Sequence, residues 1–120
     1  MKTKQEVLDI IGDKLMRQGE RCGNDVSCFY TDAKGRHCAL GWCLPPKLQE
    51  ALGEYDILGP EELMERYGPE KTGLNPEHLE FYEVVQDIHD NLPVEEWNAG
   101  YKMLADQHGL KWNPVGLEDK

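Results

Sequence analysis

The stretch Cys28–Pro45, CFYTDAKGRHCALGWCLP, decides how the rest of the chain is read. It carries three of the four cysteines, one of the three tryptophans and the one clear hairpin signal, Tyr30 to Arg36. Gly35 can supply the positive φ of a type I turn followed by a G1 bulge, and Asp32 can bond the turn backbone where it starts. Such a turn predicts a register with Asp32 opposite Arg36, Tyr30 opposite Cys38 and Cys28 opposite Leu40. Side chains alternate along a strand, so Cys28, Tyr30, Cys38 and Leu40 share an inward face. Phe29, Thr31, His37 and Ala39 share the other. A lone two-stranded hairpin is marginal in water, so helices must cover the inward face.

The flanking sequence supplies them. Thr3-Lys4-Gln5-Glu6 is a capping box that opens a helix over about 4–18. Val7, Leu8, Ile11 and Leu15 form its apolar stripe, Arg17 suits its last turn and Gly19 stops it. Pro46 opens a short helix over about 46–52, and Pro60-Glu61-Glu62 opens another over about 60–67, ended by Gly68. Asn75-Pro76-Glu77 starts a helix over about 76–90, striped by Phe81, Val85 and Ile88. Pro93 opens the last, about 93–108, with Trp97, Tyr101, Leu104 and Ala105 facing inward. In the tail, 110–120, Trp112 and Leu117 can pack, whereas Pro114 and Gly116 exclude regular helix. The expected fold is one α+β domain over 1–120, mainly helical, with a short β-hairpin at about 28–40 packed against the helices.

Charge narrows the choice of partners. Residues 1–49 hold eight Lys/Arg against six Asp/Glu, and residues 97–120 hold three of each. Residues 50–96 hold two cations against fourteen carboxylates, a net of −12. A field of that sign repels phosphates, so direct nucleic-acid binding is disfavoured, while a basic protein surface is attracted. Glu61, Glu62, Glu65 and Glu80 are the carboxylates expected to steer such a partner. The simpler reading is a solvated acidic face that keeps the protein soluble. No stretch approaches the length of a membrane span, and the N-terminus MKTKQEVLDIIGDKL is too polar for a signal peptide. A cytoplasmic setting is therefore expected, in which cysteines remain thiols or bind metal rather than form disulfides.

Cys22, Cys28, Cys38 and Cys43 are separated by five, nine and four residues. Zinc knuckles space their ligands two to four apart, which only the last gap meets, so no cofactor is expected and structural zinc is the alternative. Nucleophilic catalysis would need a thiolate, a base and a group to orient the base. Cys38 with His89 as base, and Asp90 or Gln86 as orienting group, is the set of residue types available. His89 in the last turn of a helix also gains from the helix dipole simply by being there.

Cys28-x-Tyr30, Gly35-x-x-Cys38-Ala39-x-Gly41, Gln86-x-x-His89-Asp90 and a downstream Trp97 together resemble a group of short uncharacterised proteins encoded by bacteria and by phage and prophage regions. The resemblance implies a phage or bacterial cytoplasmic setting and makes Cys28, Tyr30, Cys38, His89 and Asp90 the positions of interest. It brings no activity with it. Cys22 and Cys43 stand outside its pattern, which counts against a four-cysteine metal site. The function expected is that of a small acidic accessory protein acting by protein–protein binding, such as an inhibitor of a host nucleic-acid-binding or defence protein. A cysteine-dependent enzyme and a zinc-binding domain are the alternatives.

Overall fold

The computed structural model describes residues 1–22, 35–52 and 59–118. Thr3 caps the first helix as its sequence requires: its side chain accepts from the Glu6 amide, and the Glu6 carboxylate accepts from the Thr3 amide, each at 3.1 Å. This helix, α1, runs through Lys4–Ile10, a π-helical segment Ile11–Leu15, and Met16–Gln18, and ends where Gly19 takes φ 65°. Then come α2 (Ala39–Cys43), α3 (Pro46–Leu52) and α4 (Pro60–Thr72). A 3₁₀ turn at Pro76–His78 leads into α5 (Leu79–Asn91), and another at Val94–Glu96 into α6 (Trp97–Gln107). A short α7 (Val115–Glu118) ends the described chain. Helix α4 is interrupted at Gly68 (φ 77°), beyond which Pro69 restarts it and Gly73 closes it. The helix expected to end at Gly68 thus resumes beyond it, through Thr72.

The expected α+β class is overturned, because among the described residues there is no strand or sheet. Gly35 does take positive φ (77°), but no second strand follows it. Cys38, extended at φ −75° and ψ 177°, is the N-cap of α2, and the Trp42 amide bonds back to its carbonyl at 3.1 Å. Cys38 and Leu40 therefore belong to the start of a helix, not to one face of a strand. The physical reason lies in the run Ala39–Cys43, which is buried on nearly every side. A short apolar segment enclosed all round carries no period that separates strand from helix. The remainder of the expected hairpin, including Cys28 and Tyr30, lies outside the described residues.

Two glutamines of α1 fasten distant chain to it in the same way. The Gln18 amide accepts from the His37 amide at 2.9 Å and donates to the His37 carbonyl at 2.9 Å. Its oxygen also accepts from the Trp42 indole at 2.9 Å. Gln5 treats the backbone of Lys111 likewise, with both bonds at 2.9 Å. Replacing Gln18 by leucine removes both bonds to the His37 backbone and the acceptor of the Trp42 indole, and should cost about 2 kcal/mol in urea unfolding. A loss under about 0.5 kcal/mol would show that water replaces those bonds without penalty.

The core is continuous. Val7, Leu8, Ile11 and Leu15 bury one face of α1 against α2, and α5 packs on α2, α4 and α6 through Phe81, Tyr82 and Val85. The chain end is held to α1 by α7, which lies on the π-helical segment. No helix among the described residues is long and apolar enough to cross a membrane.

Candidate functional site

The last turns of α5 and the first turn of α2 meet, and Cys38, Gln86, His89 and Asp90 gather there. A helix start leaves its first amides without intrahelical acceptors. Two side chains supply them to α2: Cys38 Sγ accepts from the Gly41 amide at 3.3 Å, and Gln86 Oε1 accepts from the Leu40 amide at 3.4 Å. On α5, Gln86 and Asp90 are four residues apart and share a flank, with Gln86 Nε2 donating to Asp90 Oδ1 at 3.4 Å. Asp90 Oδ1 also lies 2.9 Å from Nδ1 of His89, which fixes one nitrogen of that ring.

His89 is fully buried, a position its place in an exposed-looking last turn did not announce. The cause is the break at Pro93, after which α6 turns back so that Trp97, its first residue, stacks on the imidazole. The ring centroids are 5.1 Å apart and the planes 22° from parallel. Nε2 of His89 and Nε1 of Trp97 are both buried without a hydrogen-bond partner among the described residues. Arg21 closes the end of α5 by donating to the carbonyls of His89 and Leu92. Nothing in the spacing of the sequence singled Arg21 out, because its partners lie some seventy residues away.

Burial pushes the Cys38 thiol up to about 12, against the opposing hydrogen bonds from Gly41 and Gln86. Burial does the same to Cys43. The Tyr101 phenol, which donates to the Val85 carbonyl at 3.0 Å, is raised well above its ordinary value, first by burial and then by its neighbours Cys38, Cys43 and Asp90. Cys38 Sγ bonds the Gly41 amide, whereas His89 Nδ1 faces Asp90 and its Nε2 has no hydrogen-bond partner among the described residues, so no hydrogen bond joins thiol and imidazole. A nucleophile needs the thiolate, which this enclosure holds back. In the folded state described, Cys38, Gln86, Asp90 and His89 form a hydrogen-bonded joint between two helices.

No family model matches the chain, nor does any curated protein or solved structure.

Cys22 is buried and donates to the Arg36 carbonyl at 3.2 Å, while Cys38 and Cys43 are free thiols. Among the described residues no group of three or more His, Cys, Asp and Glu side chains could hold a metal ion. Glu61, Glu62 and Glu65 stand exposed on α4, and Glu80 stands exposed on α5. Cys28 and Tyr30 lie outside the described residues. The structure thus brings together Cys38, Gln86, His89 and Asp90, and leaves the four glutamates on the outer faces of two adjacent helices.

Proposed function

We propose that this is an accessory protein that works by binding another protein, and that the exposed carboxylates of α4 and α5 draw in a partner with a basic surface. The observation that carries the reading is that the acidic charge is uncommitted. Between Gly59 and Glu96 there are eleven carboxylates and two cations, a net of −9. All eleven carboxylates are exposed, and among the described residues only Asp90, bonded to His89, lies within ion-pair distance of a basic side chain. Helices with solvent-facing charge normally intersperse both signs, which keeps the field short-ranged. One sign left unbalanced extends a field outward, repels phosphates and speeds encounter with a basic patch by about 10- to 1000-fold.

A nucleic-acid-binding or defence protein of a bacterial host is the finer form of the proposal, since the surface that grips phosphates is also the surface this field attracts. The resemblance to phage and bacterial proteins supports that setting, in the cytoplasm. The test uses the full chain immobilised to capture a partner from bacterial lysate, followed by kinetics with the purified partner. Replacing Glu61, Glu62, Glu65 and Glu80 by glutamine should slow association about tenfold at low salt, and the difference should vanish as salt screens the field. A partner that associates equally fast with both forms and ignores salt would overturn the proposal.

A further inference from the structure

The strongest uncommitted feature outside the acidic face is a cleft between α3 and α4. Leu48, buried, forms its floor, with Pro45 and Tyr67 half-buried at its sides and Ala51 exposed at its mouth. Its volume of about 430 Å³ is that of a small-molecule site. The charged groups on its lining are Lys47, Lys71 and Glu70. Only three cations occur between Leu44 and Glu96, and two of them are here. Neither Lys47 nor Lys71 lies within ion-pair distance of a carboxylate among the described residues, in a segment crowded with them. An apolar floor rimmed by two unspent ammonium groups is the reverse of the field around it.

We propose that this cleft binds a small amphipathic monocarboxylate, its apolar body on Leu48, Pro45 and Tyr67 and its acid group met by Lys47 and Lys71. Lysine stems are long and flexible, so both ammonium groups can follow one carboxylate while their methylenes cover the ligand. Charge selects the class. With Glu70 the lining carries a net of +1, which a monoanion balances; a dianionic phosphate head would leave excess negative charge beside Glu70 and the acidic helices. A cationic ligand would meet the two lysines, and a neutral one would gain nothing from them. The site shares no residue with Glu61, Glu62, Glu65 and Glu80, so it stands or falls separately from the protein-binding proposal.

The experiment titrates the full chain with decanoate and, as the neutral counterpart, decanol, following backbone amide shifts by NMR. Decanoate should saturate with shifts centred on Leu48, Ala51, Tyr67 and Lys71, and should bind at least roughly tenfold more tightly than decanol. The K47Q/K71Q variant, altered only at exposed side chains, should bind the two equally. Ala51→Trp, which fills the mouth, should exclude both. Equal affinity of the two probes for the unaltered protein would overturn the proposal. So would shifts scattered away from the cleft, or no saturation by about 1 mM decanoate.

Discussion

Gly116→Ala should detach the C-terminal segment from α1 and cost about 3 kcal/mol in urea unfolding. A β-carbon at Gly116 would stand 2.2 Å from the Asp13 carbonyl oxygen, 2.5 Å from the Arg17 amide nitrogen and 3.0 Å from the Gly12 oxygen. All three are backbone atoms, so no rotamer relieves the overlap and α7 must move as a body. Gly12→Ala tests the same contact from the other side, and its sign is the sharper result. Glycine inside a helix is ordinarily worse than alanine by about 1 kcal/mol, so propensity alone predicts a gain. The β-carbon would lie 2.3 Å from the Asn113 carbonyl oxygen, so packing predicts a loss, and we expect a net destabilisation of about 2 kcal/mol. Gly100→Ala is the control. Its β-carbon comes nearest to side-chain atoms and not to backbone, 2.8 Å from the Leu92 Cδ1 methyl and 3.1 Å from Ile88 Cγ2, so a small side-chain shift relieves it and its cost should stay below about 1 kcal/mol. A Gly12→Ala protein as stable as the parent would mean that residues 113–118 do not sit on the π-helical turn.

These two glycines also show where sequence reading stops. Features whose cause lies within four residues were legible: the Thr3–Glu6 capping box forms, Asn75 accepts from the Glu77 amide at 3.0 Å, and Gly19 ends α1 with positive φ. Features whose cause lies far along the chain were not. Gly12 reads as a flaw in α1 until Asn113 is placed on it, and the π-helical turn that receives α7 has no local signature. The tail was expected to lack helix because of Pro114 and Gly116, yet Pro114 opens α7, with the Leu117 amide bonding back to it at 3.1 Å. Gly116 is the only residue small enough for the approach.

The candidate site divides in the same way. That Gln86, His89 and Asp90 share a flank of one helix follows from spacing alone, and so does the exposure of Glu61, Glu62, Glu65 and Glu80. That Cys38 meets Gln86 depends on α2 being a helix. The hairpin register placed Cys38 with Tyr30 and Leu40 because a turn glycine and alternating apolar residues fit a strand as well as they fit the approach to an enclosed helix. Burial of His89 depends on a stop at Pro93 and a return by Trp97, a tertiary consequence that one-dimensional periodicity does not carry.

Raising the pH should unfold this protein, with the transition falling between about pH 10 and 11. The cause is the pair of buried thiols. In the folded chain Cys38 and Cys43 are held up at about 12, against an ordinary value of 9.0 that the unfolded chain regains. The folded state therefore keeps two protons that the unfolded state sheds as pH passes 9. Stability is whole below that point, declines as pH rises and stops declining only near 12. Each thiol contributes a slope of about 1.4 kcal/mol per pH unit in that window, so by pH 11 the two together remove about 5 kcal/mol. That is comparable to the whole stability of many small domains. Above pH 10 the raised phenols of Tyr82 and Tyr101 steepen the loss, since burial holds their protons as well. Circular dichroism against pH would follow the fold, and urea unfolding from pH 8 upward would give the slope. The C38A/C43A variant starts from a lower stability, because the Gly41 amide loses its acceptor, but its slope between pH 9 and 10 should be nearly flat. A parent protein whose stability holds level to pH 10.5, or a variant that keeps the parent's slope, would mean that these thiols reach water; the joint between α2 and α5 would then be open to solvent, and Cys38 would regain the access to its thiolate that the enclosed arrangement denies it.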